Sequence, residues 1–205
     1  LSLRRQRQDV YKRQAVSPLK DSVDNYKDVK KPNPSEFSMS EKVFLGKLAL
    51  FGKEDLFLKK ISDKFNITLP ALPNTTTAND KITALWLSQK EWLLVVNPSI
   101  TNTEVDSLQN DLSSTHSLVI DVSDRWTTIN ISGNKVPEVL SKGIFIDLDN
   151  SVFGLGTCAQ TTLWTVHVII YKIDSKPSFD LFVDSTMATF LWEWLEHSSK
   201  EYVYE

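Results

Sequence analysis

Hydrophobic and polar positions along the chain first take up a regular pattern near residue 43. Loosely alternating runs are typical of strands, and apolar residues at helical spacing, such as Leu56, Phe57 and Ile61, predict helices between them. The elements predicted for the first half are strands at 43–51, 82–87, 91–96 and 117–122 and helices at 53–65 and 102–113. Their order, β-α-β-β-α-β, is that of ferredoxin-like folds.

A second set of elements begins at residue 126. The elements predicted there are strands at 126–132, 158–163, 166–173 and 179–183 and helices at 136–141 and 185–197. We therefore predict an α+β fold of two tandem ferredoxin-like halves, about 43–122 and 126–197, with mainly antiparallel sheets. Sequence identity between the halves is negligible, so this prediction rests on element order alone.

The first 40 residues lack such periodicity. Residues 15–40 are polar, and Pro32 and Pro34 each push the preceding residue out of helical geometry, so we expect a flexible polar tail followed by a single domain over 41–205. Residues 1–14 hold four of the five arginines of the chain. Three interpretations compete for this head: a basic presequence, a nucleic-acid-binding arm, and a non-native segment resembling translated sequencing adapter. We expect the third.

Composition narrows the classes of function. The formal net charge of −3 at pH 7 gives no reason to expect nucleic-acid binding. No apolar run approaches the roughly 20 residues that a membrane span needs, so we expect no membrane partner. The chain shows no apolar core of a signal peptide, and we expect a cytoplasmic protein.

Few residues are candidates for chemistry. Residues 154–159 match G-x-G-x-x-A, but strand-like residues follow, which favours a tight loop over a dinucleotide site. Cys158 has no nucleophile signature around it, and a buried cysteine usually packs as a small hydrophobe. The histidines are scattered without zinc-ligand spacing. Four carboxylates are close together in the sequence: Asp121, Asp124, Asp147 and Asp149. Two of them flank turns, where Asp commonly caps or bonds its own backbone. We expect no catalytic, cofactor-binding or metal-binding residue.

The last predicted helix carries two tryptophans two positions apart. That spacing is about 200° around a helix, so both cannot face one core. Trp194 joins the apolar stripe of the helix, which leaves Trp192 on another face. Two interpretations of Trp192 stay open: an exposed anchor for an interface, or a side chain covered by a neighbouring loop.

Several segments, taken in order, resemble the gamma subunit family of heterotetrameric sarcosine oxidase. The strongest matches are Cys158-Ala159-Gln160-Thr161 and Leu191-Trp192-Glu193-Trp194-Leu195. The other matching segments are Trp86-Leu87 with Glu91-Trp92-Leu93-Leu94, Asp121-Val122-Ser123-Asp124-Arg125, Ser132-Gly133 with Val139-Leu140-Ser141-Lys142-Gly143, Asp147-Leu148, and Phe179-Asp180-Leu181-Phe182-Val183. The matches cover residues 82–196, whereas the region before about residue 80 matches loosely.

The resemblance implies a role, cofactors and partners. The family's bacterial complex demethylates sarcosine oxidatively to glycine and passes the one-carbon unit to tetrahydrofolate. FAD, FMN, NAD, tetrahydrofolate and zinc are expected on other subunits and none on this chain. The alpha subunit is the expected main contact, with beta and delta subunits in the same complex. The fold is expected to be similar to the folate-binding domain of the glycine-cleavage aminomethyltransferase. We therefore expect a non-catalytic accessory subunit of an oxidoreductase complex.

The alternative is a stand-alone folate-binding or aminomethyl-transferring protein on the same fold, with a carboxylate to hold the pterin. Arg125 is the one arginine after residue 14, and we expect its guanidinium to pair with Asp121 or Asp124, structurally or at an interface. The candidate interface or structural residues are Arg125, Asp121, Asp124, Cys158, Gln160 and Trp192.

Overall fold

The computed structural model describes residues 16–29, 33–96 and 102–203. The predicted non-native segment 1–14 lies outside the described residues. The strands are β1 (Ser38–Glu41), β2 (Gly46–Phe51), β3 (Thr76–Ala78), β4 (Ile82–Ser88), β5 (Glu91–Val96), β6 (Leu118–Asp121), β7 (Trp126–Ser132), β8 (Cys158–Leu163), β9 (Val166–Lys172) and β10 (Ser178–Asp184). The α-helices are α1 (Lys20–Val29), α2 (Asp55–Phe65), α3 (Asn102–Asp111), α4 (Val136–Ser141) and α5 (Ala188–Val203), the last preceded by a 3₁₀ turn, Ser185–Met187.

The first sheet is built by the first half of the chain. Its strand order is β3-β4-β5-β2-β6, and each pair of neighbours is antiparallel. Strand β2 lies between β5 and β6, and helices α2 and α3 lie in the connections, which is the arrangement of a ferredoxin-like unit. The short strand β3 is an addition within the stretch that reads as a Pro/Asn/Thr loop.

The second sheet has the order β1-β7-β10-β9-β8, again with antiparallel neighbours. Strands β8, β9 and β10 follow one another as hairpins, and β10 then pairs with β7. Strand β1 comes from before the first sheet and pairs with β7 from Ser38↔Ser132 to Glu41↔Ile129. The predicted α+β fold with mainly antiparallel sheets is confirmed, and the second sheet also uses a strand from the N-terminal segment.

The prediction of a flexible polar tail over 15–40 is wrong for the part that the structure describes. Helix α1 and strand β1 both lie within it. Leu19 and Phe37 are fully buried, and Met39 is nearly so. These apolar residues are too few and too widely spaced to form a periodic pattern. They become core residues because the rest of the molecule covers them.

Three hydrophobic clusters give the molecule four layers, helices–sheet–sheet–helices. One cluster lies between the first sheet and helices α2 and α3, and another lies between the second sheet and helices α1, α4 and α5. The third lies between the sheets and consists of Leu85, Leu93, Cys158, Ile169 and Phe182. Within the described chain, none of the helices is both long and apolar enough to cross a membrane.

Candidate functional site

The acidic turn at residues 121–125 is held by its own polar groups. The Asp121 carboxylate accepts hydrogen bonds from the amide and the hydroxyl of Ser123, at 2.9 and 2.5 Å. The Asp124 carbonyl accepts one from the Ser185 hydroxyl at 2.9 Å. The first two bonds lie within the turn between β6 and β7, and the third joins this turn to the 3₁₀ turn before the C-terminal helix, so its observed contacts are structural.

Arg125 lies beside a carboxylate other than the expected ones. Its Nε is 3.8 Å from Asp184 Oδ2, its guanidinium lies 5.1 Å from the centre of the Trp126 ring, and its side chain is 63% exposed. The expectation of a pair with Asp121 or Asp124 is therefore corrected to Asp184. Hydrogen bonds from Thr186, and then the Arg125 charge, lower the pKa of Asp184.

Cys158 and Gln160 join the two sheets. Cys158 is fully buried, its Sγ lies 3.5 Å from the carbonyl oxygens of Thr75 and Trp86, and burial raises the pKa of its thiol to about 11. Gln160 Nε2 donates to the Leu87 carbonyl at 2.9 Å. Strand β8 of the second sheet is thus tied to the first sheet by side chains that the family resemblance singles out.

Backbone groups continue this seam. The Cys158 amide donates to the Asn74 carbonyl at 2.9 Å, and the Thr76 hydroxyl donates to the Gly156 carbonyl at 2.7 Å. Gly156 has φ of +78°, a conformation that glycine adopts without steric cost. Residues 154–157 therefore form a tight loop leading into β8, as predicted for the G-x-G-x-x-A segment.

Trp192 is not an exposed interface anchor. Its side chain is fully buried, and the Tyr26 ring packs edge-on against it with centroids 5.7 Å apart. Trp194 is half-buried at the edge of the same core cluster, so the prediction that Trp194 faces the core and leaves Trp192 on another face is wrong. The covering element is α1, which the sequence pattern does not predict.

The exposed apolar surface beside the C-terminal helix is formed by other aromatic residues. We define the aromatic face as Trp164, Phe190 and Trp194. The Trp164 ring stacks on Phe190 at 5.3 Å and 10°, and on Trp194 at 6.5 Å and 21°. Trp164 is 48% exposed. The Trp164 amide donates to the Gly143 carbonyl at 2.7 Å. Phe145, two residues after Gly143, is also exposed.

Trp164 adopts a costly backbone conformation. It has φ of +53° and occupies the first position of the two-residue turn that joins Leu163 to Val166. Glycine or asparagine usually fills such a position, because a side chain there meets its own carbonyl oxygen. The sequence signal for this feature is a bulky residue where a small-residue turn is expected between two strands.

An inter-half cleft of about 830 Å³ opens where the chain crosses between the sheets. We define it by six of its lining residues: Val43, Phe44, Lys47, Asp124, Trp126 and Thr128. Lys47 is 3% exposed, its amine donates to the Leu45 carbonyl at 3.2 Å, and burial lowers its pKa to about 8. Sequence reasoning missed this lysine, because nothing in the pattern distinguishes it from the other lysines.

Of the other aspartates considered from the sequence, Asp121, Asp147 and Asp149 do not line this cleft. Asp147 accepts from the amide of Asp149 at 2.9 Å, and Asp149 accepts from Ser151, so both form local turns as predicted. Asp147 lines a separate cleft of about 440 Å³ beside α4, whereas Asp121 lines one of about 700 Å³ beside β6. Within residues 16–29, 33–96 and 102–203, no three His, Cys, Asp or Glu side chains cluster as metal ligands.

Known proteins share this architecture. The family model for the sarcosine oxidase gamma subunit matches residues 54–201, well over half of the chain. A curated aminomethyltransferase from Deinococcus deserti is 26% identical over 114 residues, which are 56% of this chain and 32% of that protein. The chain thus spans about a third of the length of that relative.

Two solved structures show the same fold. A chain of the heterotetrameric sarcosine oxidase from Corynebacterium sp. U-96, in complex with pyrrole 2-carboxylate, superposes with a TM-score of 0.83 at 19% identity. That match covers 92% of this chain and 96% of the other. The glycine cleavage system aminomethyltransferase T from Bartonella henselae superposes with a TM-score of 0.59 at 13% identity, covering 82% of this chain and 47% of that one. The expected likeness to both folds is confirmed.

Proposed function

The chain belongs to the sarcosine oxidase gamma subunit family, and from this premise we propose that it is an accessory subunit of a heterotetrameric sarcosine oxidase. The observation that carries the proposal is the family match over residues 54–201. The superposition on a chain of such an enzyme, which covers 96% of that chain, supports it. The complex would demethylate sarcosine oxidatively to glycine and pass the one-carbon unit to tetrahydrofolate, in the cytoplasm of a bacterium.

The proposed role of this chain within the complex is assembly. Its thiol is buried with a raised pKa, and the carboxylates of Asp121 and Asp149 accept hydrogen bonds within their own turns. The thiol is a poor nucleophile, because little of it is present as thiolate. The carboxylates are poor general bases, because their oxygens already accept hydrogen bonds. FAD, FMN, NAD, tetrahydrofolate and zinc are assigned in this proposal to the other subunits.

We propose that the aromatic face meets the alpha subunit, with beta and delta subunits elsewhere in the complex. Tryptophan is enriched among the interface residues that contribute most to the free energy of association. The positive φ of Trp164 supports the proposal, because a strained residue at an exposed position is typical of a functional surface.

Co-expression with the alpha, beta and delta chains of the same organism tests both parts. Wild type is expected to co-purify with the flavin-containing chains. Trp164→Asn is expected to lower the recovered alpha chain by at least about tenfold, since tryptophan hot spots exceed the 1.4 kcal/mol that tenfold requires. Asparagine tolerates positive φ, so the variant should fold.

Leu72→Asn is the matched control, because Leu72 is also exposed and lies outside the aromatic face. It is expected to leave recovery unchanged. A monodisperse wild-type monomer in the presence of the alpha chain would contradict the subunit role. Full recovery with Trp164→Asn would contradict the docking surface alone.

The matches to two aminomethyltransferases favour a second candidate, a stand-alone folate-binding or aminomethyl-transferring protein. It would need one carboxylate in a pocket to hold the pterin, and the candidates are Asp121 and Asp124 in one cleft and Asp147 in another. Titration of the isolated chain with tetrahydrofolate, followed by tryptophan fluorescence, tests this candidate. Saturable quenching would support it, and its absence at millimolar ligand would exclude it.

A further inference from the structure

We infer that the inter-half cleft is a binding site for a small monocarboxylate with an apolar or aromatic body. The inference is independent of the docking surface, which lies at the turn between β8 and β9. It rests on three local features that each cost folding free energy and that meet in one cleft. Such costs, gathered in one place, are typical of a ligand site rather than of a structural core.

Two buried polar side chains face the same layer of the molecule. Leu48 and Leu50 of β2 pack under α2, so alternation turns Lys47 toward the second sheet. In the same way, Ile129 and Ile131 of β7 pack against the C-terminal helices. The intervening strand positions then face the first sheet, and Thr128 is one of them. Both Lys47 and Thr128 line the cleft between the sheets.

The Lys47 amine has hydrogen-bonding capacity left over. An ammonium group carries three donors, and the single bond recorded for this one goes to the Leu45 carbonyl at 3.2 Å. Lys47 is absent from the ion pairs formed among the described residues. A buried cation without a bonded anion is costly, and a carboxylate brought by a ligand would remove that cost.

Thr128 supplies the second polar group. Its hydroxyl is buried and has no hydrogen-bond partner among the residues that the structure describes. A buried hydroxyl without a hydrogen-bond partner costs folding free energy. A carboxylate oxygen entering the cleft could accept a hydrogen bond from this hydroxyl, so Lys47 and Thr128 both offer donors to one negative charge.

Carboxylates near the cleft limit the charge of the ligand. Glu41 and Asp121, both close enough to act on the Lys47 charge, already accept hydrogen bonds from the hydroxyls of Ser17 and Ser123. Asp124, the third such carboxylate, is exposed and lines the cleft. A dianion such as a phosphate would be repelled by it, which favours a ligand with a single carboxylate.

The outer wall of the cleft is apolar. Val43 and Phe44 are exposed, and Phe44 has φ of +58° with 57% of its surface accessible. Trp126, half-buried, lines the same cleft. A phenyl or similar ring fits such a wall, because aromatic rings in contact attract one another beyond the effect of burying their surface.

Titration of the full chain with phenylacetate, followed by calorimetry and by NMR of the Lys47 amine, tests the inference. Phenylacetamide, which has the same ring and no charge, is the ligand control. Wild type is expected to bind phenylacetate saturably with a Kd of about 1 mM or tighter, and phenylacetamide at least about tenfold more weakly.

Lys47→Met is expected to raise the Kd for phenylacetate at least about tenfold, whereas Lys53→Met, at an exposed position, should stay within about twofold of wild type. Thr128→Val, which keeps the side-chain shape, is expected to weaken binding and serves as the test if Lys47→Met does not fold. Absence of saturable phenylacetate binding, or equal binding by wild type and both cleft variants, would overturn the inference. The titration needs no partner chain, so its failure is distinguishable from failure of the proposed assembly role.

Discussion

Burial governs the behaviour of Cys158. The thiol sits in the cluster between the sheets with Leu93 and Phe182 for neighbours, and desolvation of the thiolate raises its pKa from 9.0 to about 11. A thiol in this state reacts slowly with electrophiles and oxidants, because the thiolate is the reactive form. The single cysteine of the chain is therefore a packing residue.

Labelling kinetics check this prediction. At pH 8 a shift in pKa from 9.0 to about 11 lowers the thiolate fraction about a hundredfold. Native protein should therefore react with iodoacetamide at least about a hundredfold more slowly than protein unfolded in urea. Rapid stoichiometric labelling of the native chain would contradict the buried placement.

Lys47 is the residue whose burial most affects stability at alkaline pH. Desolvation lowers its folded-state pKa from 10.5 to about 8, against the opposing pull of Glu41, Asp121 and Asp124. Between these two values the unfolded chain binds a proton that the folded chain has released. By linkage, stability rises as pH rises through this window.

The measurement is chemical denaturation of wild type and Lys47→Met from pH 7 to pH 10. The free energy of unfolding of wild type, relative to that of the variant, is expected to rise as pH rises above about 8, toward 10.5. Subtracting the variant removes the contribution of other titrating groups. A difference that is constant with pH would show that the lysine is solvated in the folded state.

At the scale of elements, helix α1 and strand β1 are integral parts of the second half. Strand β1 extends the second sheet beside β7. Leu19, directly before α1, and Tyr26, within α1, belong to the core cluster that holds Trp192. Fully burying such side chains stabilises a fold by about 1.5–3 kcal/mol each, which explains how a largely polar segment is held in place.

Two truncations distinguish this segment from the arginine-rich head. Deletion of residues 1–14 is expected to leave the free energy of unfolding unchanged. Deletion of residues 1–29 removes α1, exposes Trp192, and should cost about 2–5 kcal/mol, with a red shift of tryptophan emission. Guanidinium denaturation followed by fluorescence measures both. Equal stability of the two truncated forms would contradict the role of α1.

A buried lysine holds the long connection between α4 and β8. The Lys172 amine is hydrogen-bonded to the Asn150 side chain and to the Phe153 carbonyl, and it lies 5.6 Å from the centre of the Phe179 ring. These contacts attach residues 150–153 to strand β9. The connection itself, which the structure describes throughout, contains no helix or strand between Ser141 and Cys158.

Lys172→Met is expected to loosen this connection while leaving the sheets intact, because methionine fills the space without making either hydrogen bond. Limited proteolysis should then cut between residues 143 and 157 faster than in wild type. Lys176→Met is the matched control, since Lys176 is exposed. Identical cleavage rates for the two variants would contradict the pinning role of Lys172.

At the scale of the whole molecule, the two halves share a core, so we expect them to unfold as one cooperative unit. The hydrophobic cluster between the sheets has members from both of them: Leu85, Leu93, Cys158, Ile169 and Phe182. Unfolding of either sheet would therefore expose the cluster residues of the other. The Gln160 bond to the Leu87 carbonyl and the bridge between Thr75 and Thr157 close one side of this interface.

Phe182→Ala tests the coupling. Removing this buried ring should cost about 3–5 kcal/mol, and fluorescence and circular dichroism should still report a single coincident unfolding transition. Phe145→Ala, at an exposed position, should change stability by less than about 0.5 kcal/mol. Two separate transitions in wild type would contradict a single unit.

The amino-acid sequence alone was enough to predict the α+β class, the family and most elements after residue 43, since hydrophobic periodicity is local and the ordered segments from Trp86 to Leu195 carry the family pattern. It also predicted the roles of the loop at residues 154–157 and of the turn-forming aspartates, because their hydrogen bonds join near neighbours in the chain. It did not predict α1, β1 or β3. Which faces are covered depends on the tertiary structure. Trp192 is buried because α1 packs on it, Arg125 meets Asp184 because β10 ends beside β7, and Lys47 is desolvated because the second sheet lies over it. These pairings join residues 59 or more positions apart and depend on the packing of whole layers, which no local pattern encodes.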